Sequence, residues 1–254
     1  MRLSLSTLKT PLPYDRSTVI PGIVHLGIGA FHRAHMAVYV DDILPSDPNW
    51  GIIGASLRRP DTKDALAPQD FLYTVAVRDA SGTKPRVIGS ILDVLDANTE
   101  RDELIAILAD ARIRIVSLTV TEKGYCHDPS TGNLDPNHPD IVADLANPTA
   151  PVSAPGLIVR ALELRRAGRI PPFTVMSCDN LPSNGKTVGR IVAQFARRRD
   201  PALADWIEAE VAFPSTMVDR IVPATTDADR DTIREATGVD DAWPIMTEPF
   251  TQWV

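Results

Sequence analysis

Apolar positions in this chain fall into short runs separated by amphipathic stretches. Residues 23–26, 50–55, 113–120 and 173–177 are compact and rich in Val, Ile and other apolar residues, the pattern of buried strands. Residues 71–77 alternate, Asp79-Ala80-Ser81-Gly82 makes a turn, and residues 86–91 follow as a partner strand, which predicts a hairpin. Helices are predicted over 31–44, 98–109, 140–145, 156–167, 184–199, 201–211 and 227–237, and 58–69 is a polar, helix-prone connection. Residues 218–222 and 245–250 read as two more strands, 1–20 as an extended arm, and 125–139, rich in Asp, Pro, Asn and Gly, as a loop. Strands alternating with helices imply an α/β fold built on a doubly wound, mostly parallel sheet with right-handed crossovers and an added β-hairpin.

The first strand runs into Gly27-Ile28-Gly29-Ala30-Phe31-His32-Arg33. Two glycines spaced by one residue give a tight turn into a helix start. Backbone N–H groups at such a start can hold a pyrophosphate, because glycine lets the backbone approach and the helix end carries partial positive charge. This is the Rossmann type of dinucleotide turn, with His32 in place of its third glycine. A strand-to-helix turn that binds nothing, a methyltransferase-type domain and a non-catalytic nucleotide-sensing domain all share the feature. Arg33 is placed to reach a phosphate oxygen. His32 and His35 can share a helix face, but no further ligand at metal spacing joins them, so no metal is expected.

Composition narrows the classes. The net charge is −7, and Arg197-Arg198-Arg199 is the one basic cluster, which reads as a helix C-terminal turn. A nucleic-acid surface is therefore not expected. Hydrophobic residues make up 44%, enough for a large core, yet no window is long and apolar enough for a membrane span. Residues 1–20 carry Lys9, Asp15 and Arg16 and do not read as a signal peptide. Two cysteines, Cys126 and Cys178, are too few for a disulfide framework, so reduced thiols in the cytoplasm are expected. Cys178 reads as a small core residue. The chain closes on Glu248-Pro249-Phe250-Thr251-Gln252-Trp253-Val254, an apolar, patterned end that reads as an interruption.

Taken together, residues 27–35, Ser117-Leu118-Thr119-Val120-Thr121-Glu122-Lys123-Gly124-Tyr125, Met176-Ser177-Cys178-Asp179-Asn180 and Met217-Val218-Asp219-Arg220-Ile221-Val222-Pro223 resemble the polyol-specific long-chain dehydrogenase/reductase family. Its members include mannitol 2-dehydrogenase and fructuronate reductase. The resemblance implies that residues 1–254 are an N-terminal Rossmann-type domain binding NAD. It also implies a following helical domain carrying a catalytic lysine in a Lys-x-x-x-x-Asn-x-x-His arrangement. No such arrangement occurs here; Lys186, for instance, is followed five residues on by Ile191.

The same resemblance assigns roles to residues. Gly27, Ile28, Gly29, Ala30, Phe31, His32 and Arg33 form the cofactor turn, and Thr121 joins the cofactor site. Asp61 matches the acid that selects NAD by holding ribose hydroxyls, although Arg58 and Arg59 beside it can welcome a 2′-phosphate. Glu122 would move protons from a partly dry cleft. Asn180 and Asp219 would hold substrate hydroxyls, with an Asx turn and an Asp219–Arg220 pair as the plain structural alternatives. The implied chemistry is hydride exchange between NAD and a secondary alcohol of an acyclic polyol. Mannitol with fructose and mannonate with fructuronate remain open as substrates. The implied family needs no metal.

Overall fold

The computed structural model describes residues 1–254. In chain order the strands are β1 (Pro21–Leu26), β2 (Gly51–Ser56), β3 (Tyr73–Asp79), β4 (Gly82–Ile88), β5 (Ile91–Asp96), β6 (Ile115–Leu118), β7 (His127–Asp128), β8 (Asn133–Leu134), β9 (Thr174–Ser177), β10 (Val218–Asp219), β11 (Ile245–Thr247) and β12 (Gln252–Trp253). The helices are α1 (Ala30–Ala34), α2 (Met36–Ile43), α3 (Asp61–Leu66), α4 (Arg101–Ala109), α5 (Thr121–Gly124), α6 (Pro139–Ala146), α7 (Ala154–Ala167), α8 (Asn184–Arg199), α9 (Pro201–Glu210) and α10 (Asp227–Thr237).

Five parallel strands form the central sheet in the order β5-β2-β1-β6-β9. From β1 the chain winds outward through β2 to β5, then returns to the other side of β1 for β6 and β9. The order reverses at β1, so the carboxyl end of β1 lies at the topological switch point, where open α/β sheets bind ligands. β1 and β2 are buried along nearly their whole length, as strands covered on both faces must be. One face packs on α4, α7, α8 and α9 through Leu104, Leu157, Ile191 and Ile207; the other is covered by α2 and the second sheet through Val40, Tyr73 and Ile245.

That second sheet is the β3–β4 hairpin with β11 added parallel to β3. The predicted hairpin forms, but its second strand ends at Ile88, and Ile91–Asp96 is a separate strand at the edge of the main sheet. Only Gly89 and Ser90 part the two, too short a break for sequence spacing to reveal. The predicted helix over 31–44 is two helices broken at His35, whose backbone (φ −115°, ψ −95°) leaves the helical region. The His35 ring accounts for the break: its Nε2 lies 2.7 Å from the Gln252 carbonyl, and it packs among Phe31, Tyr39 and Trp253. Residues 1–20 are no free arm. Leu3 and Val19 are buried, and the Leu3 N–H donates to the Asp240 carbonyl at 2.9 Å. The 125–139 loop contains the β7–β8 hairpin. The strand expected over 218–222 is only β10, paired antiparallel with β12, and the one expected over 245–250 ends before Pro249.

The tip of β1 is fixed by a buried polar network. His25 is fully buried, with Nδ1 2.8 Å from Ser117 Oγ and Nε2 2.8 Å from Thr119 Oγ1. The Thr119 hydroxyl donates to the Gly27 carbonyl at 2.8 Å, which uses its only proton. His25 Nε2 must then carry a hydrogen and donate to Thr119, while Nδ1 accepts from Ser117. Gly27 itself sits at φ +94°, and a Cβ there would lie 2.3 Å from the Thr119 carbonyl oxygen. The bend and β6 therefore meet backbone to backbone. Gly29 is different: a Cβ there would meet only the Gly27 carbonyl, at 3.8 Å.

Gly27→Ala should therefore lower stability by about 3 kcal/mol or more, whereas Gly29→Ala should change it by less than about 1 kcal/mol. Urea unfolding of both variants checks this; equal midpoints would contradict it. Burial also lowers the His25 pKa from 6.5 to about 3 and drives that of His32 well below its ordinary value. Below pH 6.5 the unfolded chain takes up protons that these two rings refuse. Their contribution is complete above that pH and drains away as pH falls toward the folded values. The urea midpoint should begin to drop below about pH 7.5, and the unfolding free energy should approach a slope of roughly 2–3 kcal/mol per pH unit below about pH 5.5. An unchanged midpoint would contradict the buried neutral pair.

Candidate functional site

The site grows from four strand ends at one edge of the central sheet. Beyond β1, the Gly27 and Ile28 N–H groups both donate to the Ala55 carbonyl of β2, at 2.9 and 3.3 Å. The Ile28 side chain is buried against Gly54, so Ile28 supports the bend through packing. Gly29 is the N-cap of α1, and no side chain caps that helix. Gly29 and Ala30 are exposed and border a groove of about 520 Å³ with Arg33, Thr62, Pro223 and Trp243. Open space over Gly29, an uncapped helix start and small residues at 29 and 30 fit a pyrophosphate. The Gly29 N–H is taken up by the Gly27 carbonyl at 2.7 Å, which leaves the N–H groups of Ala30 and Phe31 as the donors available to it.

Three residues of this segment sit differently from expectation. Phe31 is half-buried and stacks on His35 with ring centroids 5.0 Å apart. His32 is buried face to face with His25, centroids 3.4 Å apart, and neither ring nitrogen has a partner within the chain. Arg33, expected as a phosphate clamp, is only 3% exposed. Its Nη1 donates to the Trp243 carbonyl at 2.7 Å, and the guanidinium lies over the Tyr73 ring. Burial lowers its pKa to about 10, still charged at neutral pH. Arg33 thus ties α1 to the segment before β11 and edges the groove as a fixed cation.

Beyond β2, Asp61 is the first residue of α3 and is exposed, with its carboxylate 3.7 Å from Arg59 Nε. It sits at a helix start behind Pro60, at the position where a ribose-binding acid is expected. Beyond β6, Thr121 and Glu122 open the short α5. Thr121 holds a left-handed backbone (φ +63°), unusual for a β-branched residue, and that strain marks a constrained spot. Glu122 is exposed, not set in a dry cleft, and makes no ion pair with Lys123. It borders a pocket of about 510 Å³ with Arg58, Cys126 and His138.

Beyond β9, Asn180 is exposed and its side chain has no partner within the chain. Two neighbours that the sequence did not single out hold it in place. The Asp179 carboxylate accepts from the Val120 N–H (2.9 Å), the Thr121 N–H (3.2 Å) and the Tyr125 hydroxyl (2.7 Å). It locks the end of β9 to the turn after β6, and burial raises its pKa against those bonds. Asn184 is buried; its Nδ2 donates to the Ser177, Asp179 and Thr216 carbonyls, each at 3.1 Å, while its Oδ1 accepts from the Gly185 and Thr216 N–H groups. A polar residue saturated this way fixes three segments at once.

Thr216 is thus tied to β9, and Arg220 donates to the Ala34 carbonyl of α1. The chain between them crosses the carboxyl edge of the sheet from β9 toward α1 and carries Asp219, which is exposed. Arg220 bonds to the Ala34 and Glu248 carbonyls, so the Asp219–Arg220 pair does not form. Asn180 and Asp219 accordingly share the edge that holds the bend. Cys126 and Cys178 are free thiols, each with a pKa raised to about 12, foremost by burial, which suits core residues and not nucleophiles. Arg197 pairs with Asp205 and Glu208 at the exposed end of α8, as expected, whereas Arg199 is mostly buried and pairs with Glu163. No helix is long and apolar enough to cross a membrane.

The family model described as the mannitol dehydrogenase Rossmann domain matches residues 21–254. A mannitol 2-dehydrogenase of Cereibacter sphaeroides is 49% identical over 245 residues, which is 95% of this chain and 51% of that protein. The structure of Pseudomonas fluorescens mannitol 2-dehydrogenase in ternary complex with NAD and D-mannitol superposes with a TM-score of 0.95 at 45% identity, over all of this chain and 54% of that one. A D-sorbitol dehydrogenase in substrate-free form gives the same TM-score at 38% identity. The chain spans about half the length of the relatives it matches. It belongs to the mannitol dehydrogenase family, and its fold is that family's Rossmann domain.

Proposed function

We propose that this chain is the cofactor-binding half of an NAD-dependent polyol dehydrogenase that oxidises a secondary alcohol of mannitol to the ketone of fructose and catalyses the reverse reduction. The observation that carries the reading is the superposition of the whole chain on about half of a mannitol 2-dehydrogenase whose structure holds NAD and D-mannitol. A helical domain with the general-base lysine completes the site. The two unpaired thiols support a cytoplasmic setting.

Bound NAD would supply the acceptor for the hydride leaving the substrate carbon. The chain's own residues bind and orient. The N–H groups at Ala30 and Phe31 receive the pyrophosphate at the uncapped start of α1, and the fixed charge of Arg33 favours an anion at the edge of the groove. Asp61 accepts hydrogen bonds from the adenine ribose hydroxyls, which favours NAD over a 2′-phosphorylated cofactor. Thr121 lines the cofactor site, with its backbone held by Asp179. The Asn180 amide donates to the reacting oxygen and accepts from a neighbouring hydroxyl, a two-way role that suits polyols. Asp219 accepts from a further hydroxyl. Glu122 moves the released proton toward solvent, consistent with its exposed place on α5.

In the chain joined to its helical domain, Asn180→Ala should lower kcat for mannitol oxidation by about 100-fold or more while leaving NADH affinity within about threefold. Mannitol oxidation and an NADH fluorescence titration read the two effects. A variant that keeps its turnover contradicts the assignment. The 254-residue chain alone should bind NADH weakly and turn over poorly, and full activity from it would overturn the split-site reading. Faster turnover of fructuronate than of fructose by the complete enzyme would replace the polyol with a sugar acid. Asp179→Asn should raise KM for the cofactor and lower kcat together, because it loosens the β6 and β9 turns without touching the reacting atoms.

A further inference from the structure

Cys126, His138 and Asp140 come together on the wall of the 510 Å³ pocket, away from the α1 groove. One ligand atom from each, a sulfur, a ring nitrogen and a carboxylate oxygen, all lie within 4.8 Å of one another. Along the sequence only the His32–His35 spacing suggested a metal pair. This group is assembled by the turn of chain between α5 and α6. Cys126 has a left-handed backbone at φ +53°, uncommon for a residue with a side chain, and that conformation sets its Sγ toward α6. His138 caps α6: its Nδ1 accepts the Asp140 N–H at 3.2 Å, and the same nitrogen lies 3.9 Å from Asp140 Oδ2. The cap occupies the lone pair of Nδ1, so a metal at that nitrogen would displace the Asp140 N–H.

We propose that Cys126, His138 and Asp140 form a binding site for a divalent cation of the zinc class, separate from the hydride-transfer chemistry. The donor set selects the ion. A thiolate with an imidazole suits zinc, and a carboxylate completes a mixed sulfur, nitrogen and oxygen set. Zinc–ligand bonds of about 2.0–2.3 Å require the three atoms to close by roughly 1 Å, within reach of side-chain rotation at a half-exposed helix start. The fourth position opens into the pocket, where water can enter.

Electrostatics favours the same occupant. The Cys126 thiol is buried, and its one hydrogen bond is a weak contact with the Gly124 carbonyl at 3.8 Å. The carboxylates of Asp135, Asp140 and Asp144 lie near it, and a dication among them would supply the positive charge that a thiolate lacks there.

Cobalt is the probe, because thiolate ligation gives it an intense near-ultraviolet charge-transfer band. Co²⁺ added to the metal-free 254-residue chain should develop that band to one equivalent, and Zn²⁺ should bleach it. Cys126→Ser should abolish the band, and His138→Gln and Asp140→Asn should each weaken binding by about tenfold or more. Cys178→Ser, which removes the other thiol, should leave the band intact. Circular dichroism confirms that each variant is folded; if Cys126→Ser does not fold, the His138 and Asp140 variants still decide. Absence of the band, its survival in Cys126→Ser, or unchanged affinity in both His138→Gln and Asp140→Asn would overturn the site. The readout needs neither cofactor nor substrate, so its failure leaves the dehydrogenase reading untouched.

Discussion

The close approach of the Gly27 bend to β6 is the constraint on which the rest of this domain depends. With φ at +94° and no room for a Cβ beside Thr119, the first strand can turn only at a glycine. His25 and Thr119 then hold the bend's carbonyl from below. The outcome is a helix start whose amides face open space at the reversal of strand order. His25 and Ser117 of the polar network below the bend are fully buried, and His25 is satisfied at both nitrogens. Half-satisfied, it would be costly; complete, it fixes one geometry.

The same logic recurs at the other strand ends. Asp179 joins β9 to the turn after β6, Asn184 joins β9 to the segment before β10, and Arg220 joins that segment to α1. Each uses a side chain to satisfy backbone groups that the sheet leaves open at its carboxyl edge. Exposed Asn180 and Asp219 are carried on this frame. The side chains of Asn180 and Asp219 are free of internal partners, and Asp179, Asn184 and Arg220 beside them are taken up in bonds to backbone. That division is what a site built to meet a ligand and a second domain requires.

Much of this was legible in the sequence, because parallel strands buried on both faces must be short apolar runs. β1, β2, β6 and β9 were read that way, and α8 and α10 were read to the residue. β5 was missed because Gly89-Ser90 hides the passage from one sheet to another. The break at His35 was missed because it arises from a contact with Gln252, far along the chain. At the site, positions were legible and orientations were not. Arg33 is separated from Gly29 by one helical turn, which put it near phosphate by spacing alone; the Trp243 carbonyl and Tyr73 ring that capture it come from distant sequence. Asp179 and Asn184 gave no signal beyond lying next to or near Asn180, since their roles consist of long-range bonds to backbone.

The central claim is that the bend at residues 27–29 grips the dinucleotide. Backbone amide chemical shifts of the isotope-labelled chain, followed while NADH is added, test it most directly. The Gly29, Ala30 and Phe31 amides should move together and saturably, while the distant amides of α9 stay still. Shifts confined to other surfaces, or no saturable change at these three residues, would contradict it.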